Sequence, residues 1–367
     1  MPDQALAAVK VDASKIEVRE FPLPDIPEDA ALLKVEAAGM CGAYAGYKRE
    51  MRKPPYILGH ENAGVIAKAG RVFSQVHGVK EGDLVTMEEY LPCMHCEWCR
   101  IGEYRLCWDV DLFNNPNGIH YGGVPIEIAP SLWGGYAQYL YLPINCVPHK
   151  VPAGTDLDVA ALALPLANGV QWACKEGEAG PGKTIVIQGP GAKGMACVLA
   201  SKIFGADTVI VTGLSRDARR FEACKRLGAD YMIDVQKQDF KETIMDITHG
   251  RGVDAVVDCT SSGNEIVLLQ TFDVLKRKGG IVVTQAYDTT KFPMRTLSAK
   301  YVTMRMCRGH NYASVHQAVE WITSGKYPLK EQITHPYSLD KTAEACMASG
   351  GEGPAADAVT VLVHPWQ

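Results

Sequence analysis

Residues 184–204 read TIVIQGPGAKGMACVLASKIF, a β-branched run, a glycine-rich turn and then a helix-compatible apolar run. Glycines at 189, 191 and 194 each suit a physical task. The first allows a tight turn, the second lets backbone approach a pyrophosphate, and the third lets helix and strand pack closely. The helix start beyond them offers free N–H groups and a positive dipole end to phosphates. An isolated G-x-G-x-x-G motif is weak, because such a turn can simply join two elements. Here the strand before it and the helix after it are both legible. The stretch therefore predicts a dinucleotide site lined by Gly189, Gly191, Ala192, Lys193 and Gly194.

From Asp156 onward strand-like and helix-like runs alternate: Thr208–Thr212, Arg216–Leu227, Tyr231–Ile233, Phe240–Thr248, Ala255–Cys259, Ile266–Leu275 and Ile281–Thr284. That alternation predicts a parallel, doubly wound sheet over 156–309, preceded by a helix from Leu157 to about Lys175. The first third differs. Ala5–Val11, Lys15–Glu20, Ala31–Ala37, Leu84–Glu88 and Tyr136–Leu142 read as strands without helices between them, which suggests a mostly antiparallel, barrel-like unit. Past Gly309 two helical runs and a final strand, Ala358–Val363, return to a different pattern. The expected class is α/β. Two domains suit 367 residues, with 1–155 and 310–367 forming one unit and 156–309 inserted into it.

A formal charge of −5 argues against a nucleic-acid or anionic-membrane partner. No run of about 18 apolar residues suggests a membrane span, and no signal-peptide pattern opens the chain. Twelve scattered cysteines without a secretory signal fit reduced thiols and metal ligands in a cytoplasmic protein.

Cys93, Cys96, Cys99 and Cys107 form C-x2-C-x2-C-x7-C, a lobe at about 90–110. Four thiolates at this spacing can close tetrahedrally around zinc, which suits a structural site. His95 lies inside the loop and would have to displace a thiolate, so it is expected to be exposed. A second group is Cys41, in G-M-C-G, with His60 and Glu61, in G-H-E-N. One thiolate and one carboxylate would neutralise Zn²⁺ and leave room for water or a substrate oxygen. On spacing alone, a cysteine and a histidine 19 residues apart are more often structural than ligating.

GHENAGVIAKAG, the four-cysteine lobe, GGYAQYLYLP (Gly134–Pro143) and GPGAKG, in this order, resemble the medium-chain, zinc-dependent alcohol dehydrogenase family along essentially the whole chain. The resemblance implies a GroES-like catalytic domain, an inserted Rossmann domain and a catalytic zinc in the cleft between them. It assigns Cys41, His60 and Glu61 to the catalytic metal, and Cys93, Cys96, Cys99 and Cys107 to the structural one. It also implies homodimers or homotetramers acting on a small alcohol or carbonyl compound.

Two departures stand out. The family pattern Cys-Gly-Ser/Thr-Asp is here Cys41-Gly42-Ala43-Tyr44, so the proton-relaying hydroxyl and the acid steadying the histidine are missing from their usual places. Leu164 stands where many members supply a further acid ligand. Cys174 lies ten residues further along, roughly 15 Å on a helix. Asn168, one turn on from Leu164, is placed to hydrogen-bond in the same cleft.

Two chemistries follow. In the favoured one zinc polarises a carbonyl oxygen while hydride passes to or from a nicotinamide. In the alternative Tyr44 (or Tyr47) donates a proton in a zinc-independent, NADPH-dependent reduction of a conjugated C=C bond. A nucleotide-binding protein without catalysis is the reading from another class. Trp133, Phe113 and Tyr121 could shape a pocket, although aromatics in such loops more often pack. For the cofactor, Gly213 stands where the family usually has a ribose-binding acid, and Ser215 and Arg216 follow. Arg216 can pair with a 2′-phosphate, which favours NADP(H) over NAD(H), whereas Asp217 could instead hold the ribose.

Overall fold

The computed structural model describes residues 2–41, 43–48, 53–111, 114–115, 117–260, 265–285 and 292–367, without the side chains of Ala43 and Ala45. Gly42 and Phe113 lie outside the described residues.

The β-branched runs form one six-stranded sheet in which every pairing is parallel. Its spatial order is Tyr231–Asp234, Thr208–Gly213, Thr184–Gln188, Ala255–Asp258, Ile281–Thr284 and Thr303–Met306. Counted along the chain this is 3-2-1-4-5-6, the doubly wound order whose reversal beside the first strand marks the ligand crevice. Parallel strands covered by helices on both faces read as near-continuous apolar runs. Ala255–Asp258 and Ile281–Thr284 are buried at every residue. This sheet belongs to a compact unit of residues Pro165–His310.

The other unit combines Met1–Leu164 with Asn311–Gln367. Lys15–Pro22, Gln4–Asp12 and Tyr56–Ile57 make a small antiparallel sheet. The larger sheet pairs Ala30–Gly39 with Glu61–Ala69 and with Tyr139–Pro143, then continues through Leu84–Met87 to Pro148–Val151. Thr360–His364 joins the other edge of Ala30–Gly39 and carries Ile333–Ser338 as a parallel neighbour. The C-terminal segment thus completes a sheet begun near the N-terminus. Together the two units give the α/β architecture expected, a parallel doubly wound sheet and a mostly antiparallel β unit.

The single helix expected from Leu157 to Lys175 is broken into Leu157–Ala160, Ala163–Gly169 and a π-helical stretch Val170–Glu176. Pro165 lacks an N–H and is tolerated only in a first turn, so a new helix starts at Ala163. No helix among the described residues is long and apolar enough to cross a membrane.

Candidate active site and metal centres

The register of the larger sheet gathers the mixed donor group. Gly39 lies opposite Glu61 in the antiparallel pair, so Cys41 just past one strand and His60 just before the other meet at one corner. The donor atoms of Cys41, His60 and Glu61 all lie within 4.8 Å of one another. Two glycines make this possible. A Cβ on Gly39 would collide with the Glu61 carboxylate, and Gly59, at φ 95°, runs too close to the Tyr136 ring for a side chain. The Tyr136 hydroxyl closes the corner by donating to the Gly39 carbonyl at 3.1 Å.

Glu61 is almost fully buried. Burial, then the neighbouring Cys41 thiol, hold its carboxyl well above the usual carboxylate range; His60 acts in the opposite sense and Glu89 in the same one. A buried carboxyl beside an ionisable thiol is a costly pairing that a dication would reverse. Thiolate, imidazole and carboxylate are all zinc donors, so the residues fit such an ion.

Sequence reasoning missed one member of this corner. Glu89 stands just past Leu84–Met87, and its Oε2 lies 3.3 Å from Nε2 of His60. Tyr44 has partners of its own. Its hydroxyl donates to the Glu352 carboxylate, Lys48 lies 3.5 Å from the same carboxylate, and a Cβ on Gly350 would overlap the Tyr44 ring. Leu164 is buried and offers no donor. Asn168 is buried with Oδ1 3.4 Å from Nδ1 of His310, a histidine that no sequence motif flagged. Burial pushes the Cys174 thiol up to about 12. Trp133 and Tyr121 pack in the core, where Trp133 donates to the Ile128 carbonyl and Tyr121 to that of Tyr141.

Cys93, Cys96, Cys99 and Cys107 bring their four sulfurs within 4.8 Å of one another. Cys99 Sγ lies 3.8 Å from Cys93 Sγ and 3.5 Å from Cys96 Sγ. A tetrahedron with Zn–S bonds of about 2.3 Å has sulfurs roughly 3.8 Å apart, so the lobe fits a closed zinc site. Burial opposes ionisation of Cys96, but hydrogen bonds from the Cys99 backbone and thiol outweigh it and bring Cys96 down to about 7. Burial pushes Cys99 up. His95 is exposed, with Nδ1 on the Cys93 carbonyl at 2.7 Å.

In the other unit, the first strand of the parallel sheet runs into Gly189 at φ 91°. A Cβ on Gly194 would overlap the Gly189 carbonyl oxygen, whereas one on Gly191 would meet nothing within 4 Å. The turn is thus packed tightly inside and open at its crest, where backbone can approach a pyrophosphate. Gly191 starts the helix Ala192–Ile203 without a capping side chain, and Lys193 lies over the Trp172 ring at 5.1 Å. These features fit a dinucleotide.

At the second strand's end a Cβ on Gly213 would press on Phe221 and Pro190, and the position carries no acid. Asp217 is committed: it accepts from the Leu214 N–H at 2.9 Å and from Arg220 at 3.1 Å. Ser215 donates to Asp234 at 2.6 Å, and Arg216 is exposed.

Two family models match the chain, an alcohol dehydrogenase GroES-like domain over residues 27–153 and a zinc-binding dehydrogenase domain over 193–324. A sorbitol dehydrogenase of Bacillus subtilis is 32% identical over 94% of this chain and 93% of its own. The chain belongs to the medium-chain, zinc-dependent alcohol dehydrogenase family. Solved structures of this medium-chain dehydrogenase fold agree. An alcohol dehydrogenase of Thermotoga maritima superposes with a TM-score of 0.84 at 29% identity, covering 99% of both chains. A Sinorhizobium meliloti protein solved with NADP bound gives 0.81 at 25% identity, covering 99% of this chain and 100% of its own. As a medium-chain dehydrogenase the protein is an oxidoreductase.

Proposed function

We propose that this medium-chain dehydrogenase interconverts an alcohol and a carbonyl compound, with NADP(H) as redox partner and zinc at Cys41, His60 and Glu61. The observation that carries this reading is the convergence of those three donor atoms within 4.8 Å, one of them a buried carboxyl. Zinc held there would supply a Lewis acid for the substrate oxygen, and the nicotinamide would supply or accept the hydride. The chain's own residues do the positioning. Cys41 and Glu61 would provide the negative charge to retain the ion, and His60 would be the third protein donor. Gly189, Gly191, Ala192, Lys193 and Gly194 receive the pyrophosphate. Gly213 leaves out the carboxylate that would repel a 2′-phosphate, and Ser215 and Arg216 follow it in the chain, Arg216 to pair with that phosphate. The sulfurs of Cys93, Cys96, Cys99 and Cys107 hold a second, structural zinc. Residues 1–155 with 310–367 form the catalytic domain in this reading, and 156–309 the nucleotide-binding domain.

Tyr44 as proton donor to a conjugated double bond is the weaker alternative, because its hydroxyl is engaged by Glu352. The name of the Bacillus relative makes polyols the first substrates to test. Steady-state turnover of polyols, simple ketones and enones should be measured with NADPH and NADH, in wild type and Arg216→Ala, alongside zinc content. Two zinc ions per chain, polyol or ketone turnover, and a roughly 10-fold or larger loss for NADPH alone in Arg216→Ala are expected. Enone reduction that survives removal of all but one zinc would overturn the metal assignment, and equal losses with both nucleotides would overturn the cofactor preference.

A further inference from the structure

We propose that Cys197 and Cys259 form a redox pair that weakens dinucleotide binding when it closes to a disulfide; this rests on the nucleotide reading of the glycine turn. Their sulfurs lie 3.7 Å apart, in hydrogen-bond contact, and both are free thiols. Cys197 is buried in the helix Ala192–Ile203, about one turn beyond Gly194. Cys259 follows directly on the strand Ala255–Asp258 and is partly exposed. Neither belongs to the two groups of metal donors.

The pair spans the glycine turn. Cys259 donates its N–H to the Gln188 carbonyl at 2.9 Å, immediately before Gly189. A Cβ on Gly189 would lie 3.3 Å from Cγ2 of Thr260 and 3.5 Å from the Cys259 carbonyl carbon, and one on Gly194 would overlap the Gly189 carbonyl oxygen. Gly189 therefore touches the helix that carries Cys197 as well as the residues around Cys259. Thr260 is itself held, its N–H and hydroxyl donating to Asp258 at 2.9 and 2.7 Å. A disulfide needs about 2.05 Å between its sulfurs. Closing to that length draws helix and strand end together across a turn that has no slack, and disturbs the N–H groups offered to the pyrophosphate.

The oxidant is hydrogen peroxide. The Cys259 sulfur attacks one peroxide oxygen, the O–O bond breaks, and water leaves behind a sulfenic acid on Cys259. Cys197 then attacks that sulfur; the S–S bond forms, the S–O bond breaks, and the hydroxyl takes the Cys197 proton as a second water. The two thiols thus give two electrons and two protons to one peroxide. The hydrogen bond with Cys197, then burial, hold the Cys259 thiol well above its usual range. Thiolate is the reactive form, so the pair closes slowly and stays reduced without sustained oxidant.

The test is peptide mapping without reductant, with NADPH affinity measured on the holoenzyme before peroxide, after it, and again after dithiothreitol. Peroxide should link the peptides of Cys197 and Cys259 and raise the Kd for NADPH about 5-fold or more, reversibly. Cys197→Ala and Cys259→Ala should each bind NADPH as the reduced wild type does and keep that affinity through the same treatment; either serves if the other fails to fold. Reciprocity adds a readout that a merely structural pair would not move. In glutathione buffers saturating NADPH should favour the dithiol, by about 30 mV for a 10-fold coupling. Absence of the cross-link, or a cross-link that leaves the Kd unchanged, would overturn the switch. An equal loss in the two variants would do the same, since other thiols would then carry the effect. A reduced enzyme that binds neither NADPH nor NADH would instead defeat the nucleotide reading, and the switch with it.

Discussion

Cys93, Cys96, Cys99 and Cys107 come from one stretch of fifteen residues, whereas Cys41, His60 and Glu61 are gathered from two strands by the pairing of Gly39 with Glu61. The lobe is chemically uniform and saturated, four sulfurs closing on one point. The corner is mixed, has three close donors and places a carboxyl in a setting that raises its pKa. A closed site can only contribute folding energy, while a site with an open position can bind substrate. On the proposed zinc reading, local sequence supplies the stabilising centre and the sheet register the chemical one.

That contrast can be broken by exchanging which property each centre governs. The largest effect is expected in the lobe. Cys96→Ser should cost about 4 kcal/mol or more in chemical unfolding, the range associated with loss of a metal, while the molecules still folded keep normal turnover. Unchanged stability would show that the sulfurs hold no structural ion. Cys41→Ser should act the other way. Carbonyl reduction should fall on the order of 10²- to 10³-fold in kcat, with unfolding free energy changed by less than about 1 kcal/mol and nucleotide binding kept. A variant with normal turnover would remove the corner from the chemistry.

The same contrast explains what sequence made legible. The C-x2-C-x2-C-x7-C spacing and the glycine turn are local patterns, and each appears in the structure as an arrangement of near neighbours in the chain. Cys41 with His60 needed the pairing of Ala30–Gly39 with Glu61–Ala69, which no single stretch encodes; the resemblance to a family supplied it. Glu89 escaped because its strand, Leu84–Met87, reaches His60 only as the next neighbour in that sheet. An acidic pair at a strand end carries no local mark of its partner. Tyr44 is the converse case. Its place beside Cys41 in sequence suggested a catalytic role, yet its hydroxyl reaches Glu352 near the far end of the chain. The broken helix after Leu157 was legible in Pro165, but apolar continuity masked it.

A smaller effect sharpens the electrostatic side of the comparison. Asp254, just before Ala255–Asp258 of the parallel sheet, moves opposite to Glu61. Burial raises its pKa, but the hydrogen bond from Lys276 and the Thr184 N–H at 2.9 Å, with the charges of Lys276 and Lys183, bring it below its usual value. Because the folded value is depressed, the ionised Asp254 contributes stability above its unfolded pKa of about 3.9. That contribution fades as pH falls through the folded value. Asp254→Asn keeps an acceptor for Thr184 and loses the charge, so it should cost roughly 0.5–1 kcal/mol in urea unfolding at pH 7, after allowing for solvent screening of a partly exposed pair. The difference from wild type should shrink steadily below about pH 4. A penalty of constant size down to pH 2 would mean that Asp254 acts through shape alone. Glu61, whose carboxyl is held up by burial and the neighbouring Cys41 thiol, would then be the better guide to how this chain uses a buried carboxyl.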